Sequence, residues 1–296
     1  MEINGVVIDD TYAEAFPAWI SELIITAANR YLAQEAAEHA TGFASSVIGG
    51  GVEAGIDRYL SPRKSPDGRP GCMVLMAHPD KKLLQDQIIQ RIAECVLTAP
   101  TTAIFNGLPN ATEKIPVKLH FFGDGYEYRT KVGDRTVWAI PIMGGEFIIE
   151  EQIGCIEGIA GGNFLIMGTD QMSTLTAAQA AVEVVNELEG AATSFPGGVT
   201  GSGSKIGSKK YKFMKASTND AFCPTIKQKN PNSLVPDGVK AIFEIVIDGI
   251  SEEAVKQAMA DGIRAACRMI GVTHISAGHF GGTLGPYKFK LHEILS

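Results

Sequence analysis

Two stretches carry side chains whose types and spacing can do chemistry. The first is AIFEIVI, residues 241–247, in which Glu244 is the single charge among apolar strand-forming residues. Alternation along a strand places Glu244 on one sheet face with Ile242 and Val246. A carboxyl held there is desolvated, and loss of water raises its pKa toward the range in which one group both accepts and releases a proton. The alternative is an edge strand with the carboxyl in water.

The second stretch is residues 190–219, GAATSFPGGVTGSGSKIGSKKYKFMKASTN. It holds five lysines (Lys205, Lys209, Lys210, Lys212 and Lys215) and no acidic residue, in a chain of net charge −7. Glycines and serines leave much of its backbone bare, so N–H groups can approach an anion while the ammonium heads attract it from a distance. The same composition also describes a solvated connection. Nucleotide motifs do not fit. Gly198 and Gly203 have P-loop spacing but are followed by Ser204-Lys205, and Gly201, Gly203 and Gly207 miss the dinucleotide spacing by one residue. The stretch reads as a non-nucleotide anion site.

The elements that must position these groups follow from periodicity. MEINGVVI and ELIITA (22–27) read as strands, and residues 29–41 as an Ala-rich helix stopped by Gly42. ASSVIGGG reads as a second short strand with a glycine turn, SPDGRPG (65–71) as a stiff connector, and CMVLMAH (72–78) as a strand. Asp80 caps a helix with Leu84, Ile88, Ile92 and Val96 on one face, and TTAIFNG is the next strand. In the middle, KLHFF, YEYRTKV and TVWAIPI switch to period two and read as β-hairpins. A second round opens at GIAGGN. It gives a strand at FLIMG (164–168), a helix face of Met172, Leu175, Val182, Val185 and Leu188, the lysine-rich stretch and the Glu244 strand. A helix capped by Ser251 then points Val255, Met259, Ile263, Ala266 and Ile270 inward, and THISAG closes as a strand. Both halves thus read strand–helix–strand twice. The predicted fold is α+β: two tandem ferredoxin-like (βαβ-βαβ) sandwich lobes with an inserted β-hairpin region. Residues 1–150 form the N-terminal lobe with its hairpin extension and residues 151–296 the C-terminal lobe. One large doubly wound sheet is the alternative.

Totals bound the function. An excess of 33 acidic over 26 basic residues argues against general nucleic-acid affinity. Five scattered cysteines without a CxxC pair fit reduced thiols in a cytoplasmic protein and no metal site. MEINGVVIDD has neither the basic nor the apolar region of a signal peptide, and no apolar run approaches the ~18 residues of a membrane span.

Short segments spread from end to end add a further reading. EINGV, TYAEAF (11–16), ATGFASSVIG (40–49), EAGIDR (53–58), CVLTAPTTAIFNGLP (95–109), FFGDGYE (121–127), GIAGGNF (158–164), KYKFMKASTN (210–219), FCP (222–224), FEIVIDG (243–249) and SAG (276–278) closely resemble the formylmethanofuran–tetrahydromethanopterin formyltransferase family. The resemblance implies an enzyme of one-carbon metabolism and methanogenesis that moves a formyl group from the amine of methanofuran to N5 of tetrahydromethanopterin. It implies tandem ferredoxin-like lobes, a homodimer or homotetramer, and no permanently bound cofactor or metal, with methanofuran and tetrahydromethanopterin as co-substrates. Transfer is direct, in a ternary complex, and the family's catalytic glutamate falls on Glu244.

That chemistry asks for donors to a developing oxyanion, a proton shuttle and docking groups for anionic substrate tails. Glu244 is the shuttle. Lys205, Lys209, Lys210 and Lys212 with Ser202 and Ser204 are the docking candidates, and Ser217, Thr218 and Asn219 can donate to polar parts of a substrate. Thr101 and Thr102 offer two more hydroxyls, although threonines at a strand start more commonly satisfy backbone groups. His279 lies at a glycine-rich end, where a lone histidine is more often structural or exposed. The chain departs from the family pattern at Gly50-Gly51-Val52, where relatives read Cys-Pro-Ala, and at His279, Phe280, Thr283 and Pro286, where they read Asn, Tyr and two lysines. Two other readings stand beside the first: a subunit of a bacterial formyltransferase–hydrolase complex working in reverse, and a non-catalytic pterin-binding regulatory module.

Overall fold

The structure is a computed structural model describing residues 1–296. The chain opens with β1 (Glu2–Ile3) and β2 (Val6–Ile8) and enters the long strand β3 (Tyr12–Thr26). Helix α1 (Arg30–Thr41) follows, then β4 (Glu53–Leu60), β5 (Gly71–His78), α2 (Lys81–Arg91) and β6 (Ala103–Asn106). Next come β7 (Glu113–Pro116), β8 (Tyr128–Val132), β9 (Arg135–Ile142) and β10 (Gly145–Ile149). A second long strand, β11 (Gln152–Gly168), leads to α3 (Gln171–Val185), β12 (Ala191–Thr193) and a small hairpin of β13 (Lys205–Ile206) and β14 (Ala216–Ser217). The chain ends with β15 (Ala241–Gly249), α4 (Glu252–Ala266), β16 (Val272–Ser276), β17 (Tyr287–Lys290) and α5 (Leu291–Ile294). This is a mixed α/β fold in which most strand pairs are antiparallel.

The chain divides into two compact units. The first holds Met1–Pro17, Ile159–Asp248 and Glu252–Ser296. Its sheet runs β16-β11-β15-β12, with β2 added in parallel beside β16 and the start of β3 paired with β17. The first 17 residues therefore group with the C-terminal part of the chain. Helices α3 and α4 cover one face: Ala177, Ala178, Ala181, Val185, Val255, Met259 and Ile263 are buried against Phe164, Ile166, Ile245 and Ile247. The sheet's other face carries a smaller cluster of Leu165, Met167, Val235 and Val239, with Phe222 and Ile242 packed on it.

The second unit holds Ala18–Gly158 and Gly249–Ser251. Its strands run β6-β3-β5-β4, continued past β6 by β10, β9 and β8. Asp80 caps α2 by accepting from Lys82 N–H (2.8 Å) and Leu83 N–H (3.0 Å). Leu84, Ile88, Ile92 and Val96 all face the core, as their spacing implies. The β8–β9 pair is the hairpin expected of YEYRTKV and TVWAIPI, and β10 extends it by pairing with β9.

Four expectations are corrected. ASSVIGGG forms turns, and the strand begins only at Glu53. KLHFF is a 3₁₀ turn over Leu119–Gly123, entered through Lys118 at φ 53, a left-handed conformation that interrupts a strand. Met172 is exposed, because small residues rather than large ones make the buried face of α3. Ile270 is exposed because α4 ends at Ala266, before the helical face reaches it. The core under the Glu244 strand sets one expectation. Ile247→Ala, at a fully buried position, lowers unfolding free energy by about 2–5 kcal/mol in a denaturant melt.

Candidate active site

Glu244 occupies the middle of β15, and the two faces of that strand explain its environment. Ile245 and Ile247 point into the helix-covered core, while Ile242 packs into the smaller cluster on the opposite face. Glu244 shares its face with Ile242 and is only partly exposed. Its backbone is pinned by an antiparallel bridge: Thr200 N–H donates to Glu244 O (2.8 Å) and Glu244 N–H donates to Thr200 O (3.1 Å). The bridge leads into the Gly201–Ser202–Gly203 turn, which lines the same smaller cleft as Glu244.

Glu244 borders two clefts of the first unit. The larger, about 440 Å³, is lined among others by Asp9, Asp10, Asn163, Ser204, Lys205, His279 and Phe280. The smaller, about 140 Å³, is lined by Thr200, Gly201, Ser202, Gly203, Cys223 and Ile242 among others. Asn219 and Phe222 border both. Burial of the Glu244 carboxyl, with no offsetting donor or cation, pushes its pKa up to about 7. A group at that value is equally ready to take or give a proton at neutral pH.

The sequence candidates separate on this geometry. Glu244, Ser202, Ser204, Lys205 and Asn219 line one or both clefts. Lys205 and Lys209 both pair with Asp220, the second at 2.6 Å. Burial and the neighbouring Lys209 charge hold the Lys205 pKa below the usual lysine value. Lys205 and Lys209 therefore share one carboxylate. Asp220 lies one residue beyond the acid-free run, and the 3₁₀ turn over Asp220–Phe222 brings its carboxylate back to two ammonium heads. Lys210 and Lys212 are exposed and line neither cleft. Lys210 instead lies 5.3 Å from the centre of the Tyr211 ring. Ser217 Oγ donates to Gly207 O (2.6 Å), closing the β13–β14 hairpin, and Thr218 Oγ1 lies 3.2 Å from Cys223 Sγ. Thr101 and Thr102 belong to the second unit, and their hydroxyls serve the backbone. Thr101 Oγ1 accepts from Ala28 N–H (3.0 Å), and Thr102 Oγ1 donates to Val96 O (2.6 Å).

Beside His279, already marked as a lone histidine at a glycine-rich end, the larger cleft is also lined by residues without a chemical signature in the sequence. Asn163 braces Gly278, accepting from its N–H (2.6 Å) and donating to its carbonyl (3.2 Å). His279 stacks on Tyr12, with centroids 4.7 Å apart and ring planes 20° from parallel. Asp9 and Asp10 add negative charge to the larger cleft, so it is of mixed sign rather than cationic. Phe222 and Gly278 stand in the sequence only within the short motifs FCP and SAG, and Phe280 only as a departure from the family pattern. What places them at the site is folding between residues far apart in the chain.

The fold and the site together define a protein that presents one neutral-range carboxyl to a ligand-sized cleft, the equipment of a proton-transferring enzyme. Two family models cover nearly all of the chain: "Formylmethanofuran-tetrahydromethanopterin formyltransferase" over residues 1–142, and "FTR, proximal lobe" over residues 145–294. The chain belongs to the formylmethanofuran–tetrahydromethanopterin formyltransferase family. It is 55% identical to the formyltransferase of Methanosarcina acetivorans, over 99% of this chain and 100% of that protein. It is 52% identical to that of Methanothermobacter thermautotrophicus with the same coverage. Among solved structures, the Methanosarcina barkeri enzyme superposes with a TM-score of 0.97 at 55% identity, over 99% of this chain and 100% of that one. A chain of the formyltransferase/hydrolase complex from Methylorubrum extorquens, determined with methylofuran, superposes with a TM-score of 0.94 at 39% identity, over 100% of this chain and 99% of that one.

The raised pKa has a consequence for stability. Between the ordinary carboxyl value of 4.5 and about 7, the unfolded chain ionises at this position while the folded chain holds its proton. Rising pH through that window therefore favours unfolding, and above it the penalty is constant. Glu244→Gln removes the penalty, so the variant should gain stability relative to wild type between pH 4.5 and 7, as read by denaturant melts across that range.

Proposed function

We propose that this chain catalyses formyl transfer between formylmethanofuran and the N5 nitrogen of tetrahydromethanopterin, with the Glu244 carboxyl moving the proton. Family membership supports the reaction, and the Glu244 pKa of about 7, in a carboxyl bordering two clefts, supports the role. Glu244, as carboxylate, accepts the N5 proton as that nitrogen attacks the formamide carbon. The new C–N bond forms and the carbonyl oxygen becomes an oxyanion. As the tetrahedral species collapses, the bond to the methanofuran nitrogen breaks and the Glu244 carboxyl returns its proton to the departing amine. The proton count is unchanged over the cycle, and the carboxylate is regenerated. The Asn219 amide and the N–H groups of Gly201–Gly203 line the clefts that the carboxyl borders and suit an oxyanion. Ser202, Ser204 and Lys205 suit polar or anionic parts of the substrates. Lys209, Lys210, Lys212, Ser217 and Thr218 belong to the hairpin region that carries Lys205, and Thr101 and Thr102 have a backbone-bracing role.

In each unit a strand–helix–strand–strand–helix–strand sequence pairs so that the fourth strand lies beside the first, then the third, then the second. That order supports two ferredoxin-like lobes, the second unit carrying the hairpin extension. A homodimer or homotetramer in the cytoplasm fits the family and the five free thiols. The likeness to a chain of the bacterial complex favours a second setting, with partner subunits. Purification distinguishes the two, because a self-contained enzyme emerges as a homo-oligomer active on its own.

Purified protein should form the N5-formyl product from the two substrates with a pH–rate inflection near 7. Glu244→Gln should bind both substrates but lose turnover by about 10²–10⁴-fold, the usual worth of general acid–base catalysis. Near-normal turnover in the variant would remove Glu244 from the mechanism. Substrate binding by the wild type without turnover would favour the regulatory module.

A further inference from the structure

Glu14 lies on β3, is fully buried, and faces one loop of the first unit. Its carboxylate accepts from four backbone N–H groups of that loop. Oε2 takes those of Phe280 (2.8 Å) and Gly282 (2.9 Å), and Oε1 those of Leu284 and Gly285 (3.1 Å). The loop joins β16 to β17, and the β17–β3 pairing fixes its far end. Gly285 permits the approach, since a Cβ there would sit 2.2 Å from Ala15 O and 2.7 Å from Phe16 Cα. Gly282, at φ +81, lets the chain turn so that successive amides converge. Tyr12, two residues before Glu14, stacks on His279 at the loop's start.

We propose that Glu14 is a positioning residue for substrate binding: its carboxylate holds the Phe280–Gly285 loop in the shape that lets His279 and Phe280 wall the larger cleft served by Glu244. The substrate consequence rests on the formyltransferase reading; the loop geometry does not. A glutamine at this position keeps one acceptor oxygen and turns an NH₂ group toward two of the N–H donors, so half of the clamp becomes repulsive. The ligand must then order the loop itself, which weakens binding without touching Glu244.

The test is Glu14→Gln, with kcat and KM measured for each substrate, the pH–rate profile, and hydrogen exchange at the four loop amides. KM for one substrate should rise about tenfold, equivalent to about 1.4 kcal/mol. The pH inflection should stay in place, and exchange protection should fall at Phe280, Gly282, Leu284 and Gly285. A purely structural role would lower the melting temperature and the active fraction while leaving both KM values unchanged, and that result would overturn the proposal. If Glu14→Gln does not fold, Gly282→Ala strains the same clamp from the loop side and should give the same rise in KM; unchanged KM values there also overturn it. Failure of the wild type to transfer formyl groups would defeat the functional reading alone, leaving the exchange measurement to decide the clamp.

Discussion

Withdrawal of water from one carboxyl is the constraint on which the site depends. Raising a glutamate from 4.5 to about 7 requires about 3 kcal/mol of differential solvation, since one pKa unit corresponds to about 1.36 kcal/mol. The fold supplies this from two sides. Beneath, the helix-covered core fixes β15 through Ile245 and Ile247. Above, the segment carrying Phe222, Val235 and Val239 covers the face on which Ile242 lies next to Glu244. The Thr200 bridge then keeps the strand from sliding and leads into the glycine turn that lines the same smaller cleft as the acid. Opening that cover would return the group to an ordinary carboxylate.

A second glutamate in the same unit shows what decides the outcome of burial. Desolvation raises the pKa of Glu14 as well, but four backbone N–H donors outweigh it and hold the carboxyl below its usual value. Glu244 lacks such donors and goes the other way. One carboxyl therefore stays ionised and organises a loop, while the other titrates near neutrality and is available for proton transfer. The cationic side of the site is tempered as well: Asp220 offsets one of the two charges of Lys205 and Lys209, and Asp9 and Asp10 leave the larger cleft of mixed sign.

What the sequence made legible was local. A lone charge in an apolar alternating run identified Glu244 because period two fixes which side chains share a face. The capping aspartate and four-residue spacing identified α2, while the strand–helix–strand order did not reveal that the first 17 residues group with the C-terminal unit. The lysine stretch shows its charge in the composition, but composition cannot see one carboxylate, Asp220, folding back onto Lys205 and Lys209. The Glu14 clamp was equally hidden. TYAEAF stands in the sequence only as a motif with an acid in it, and the partners of that acid begin 266 residues later. KLHFF alternates like a strand, yet a left-handed Lys118 turns it. Ile270 continues a helical face past the point where the helix stops. Each of these depends on tertiary contacts or on an element boundary, which propensity leaves open.

The most direct test of the account is a titration of the Glu244 side-chain carboxyl in the folded wild-type protein. It would be followed by ¹³C NMR of δ-labelled glutamate and assigned by the signal missing from Glu244→Gln. A midpoint near 7 is the predicted result. A midpoint at the ordinary carboxyl value of 4.5 would contradict it, because the acid would then be solvated and ill-suited to pass a proton between two nitrogens.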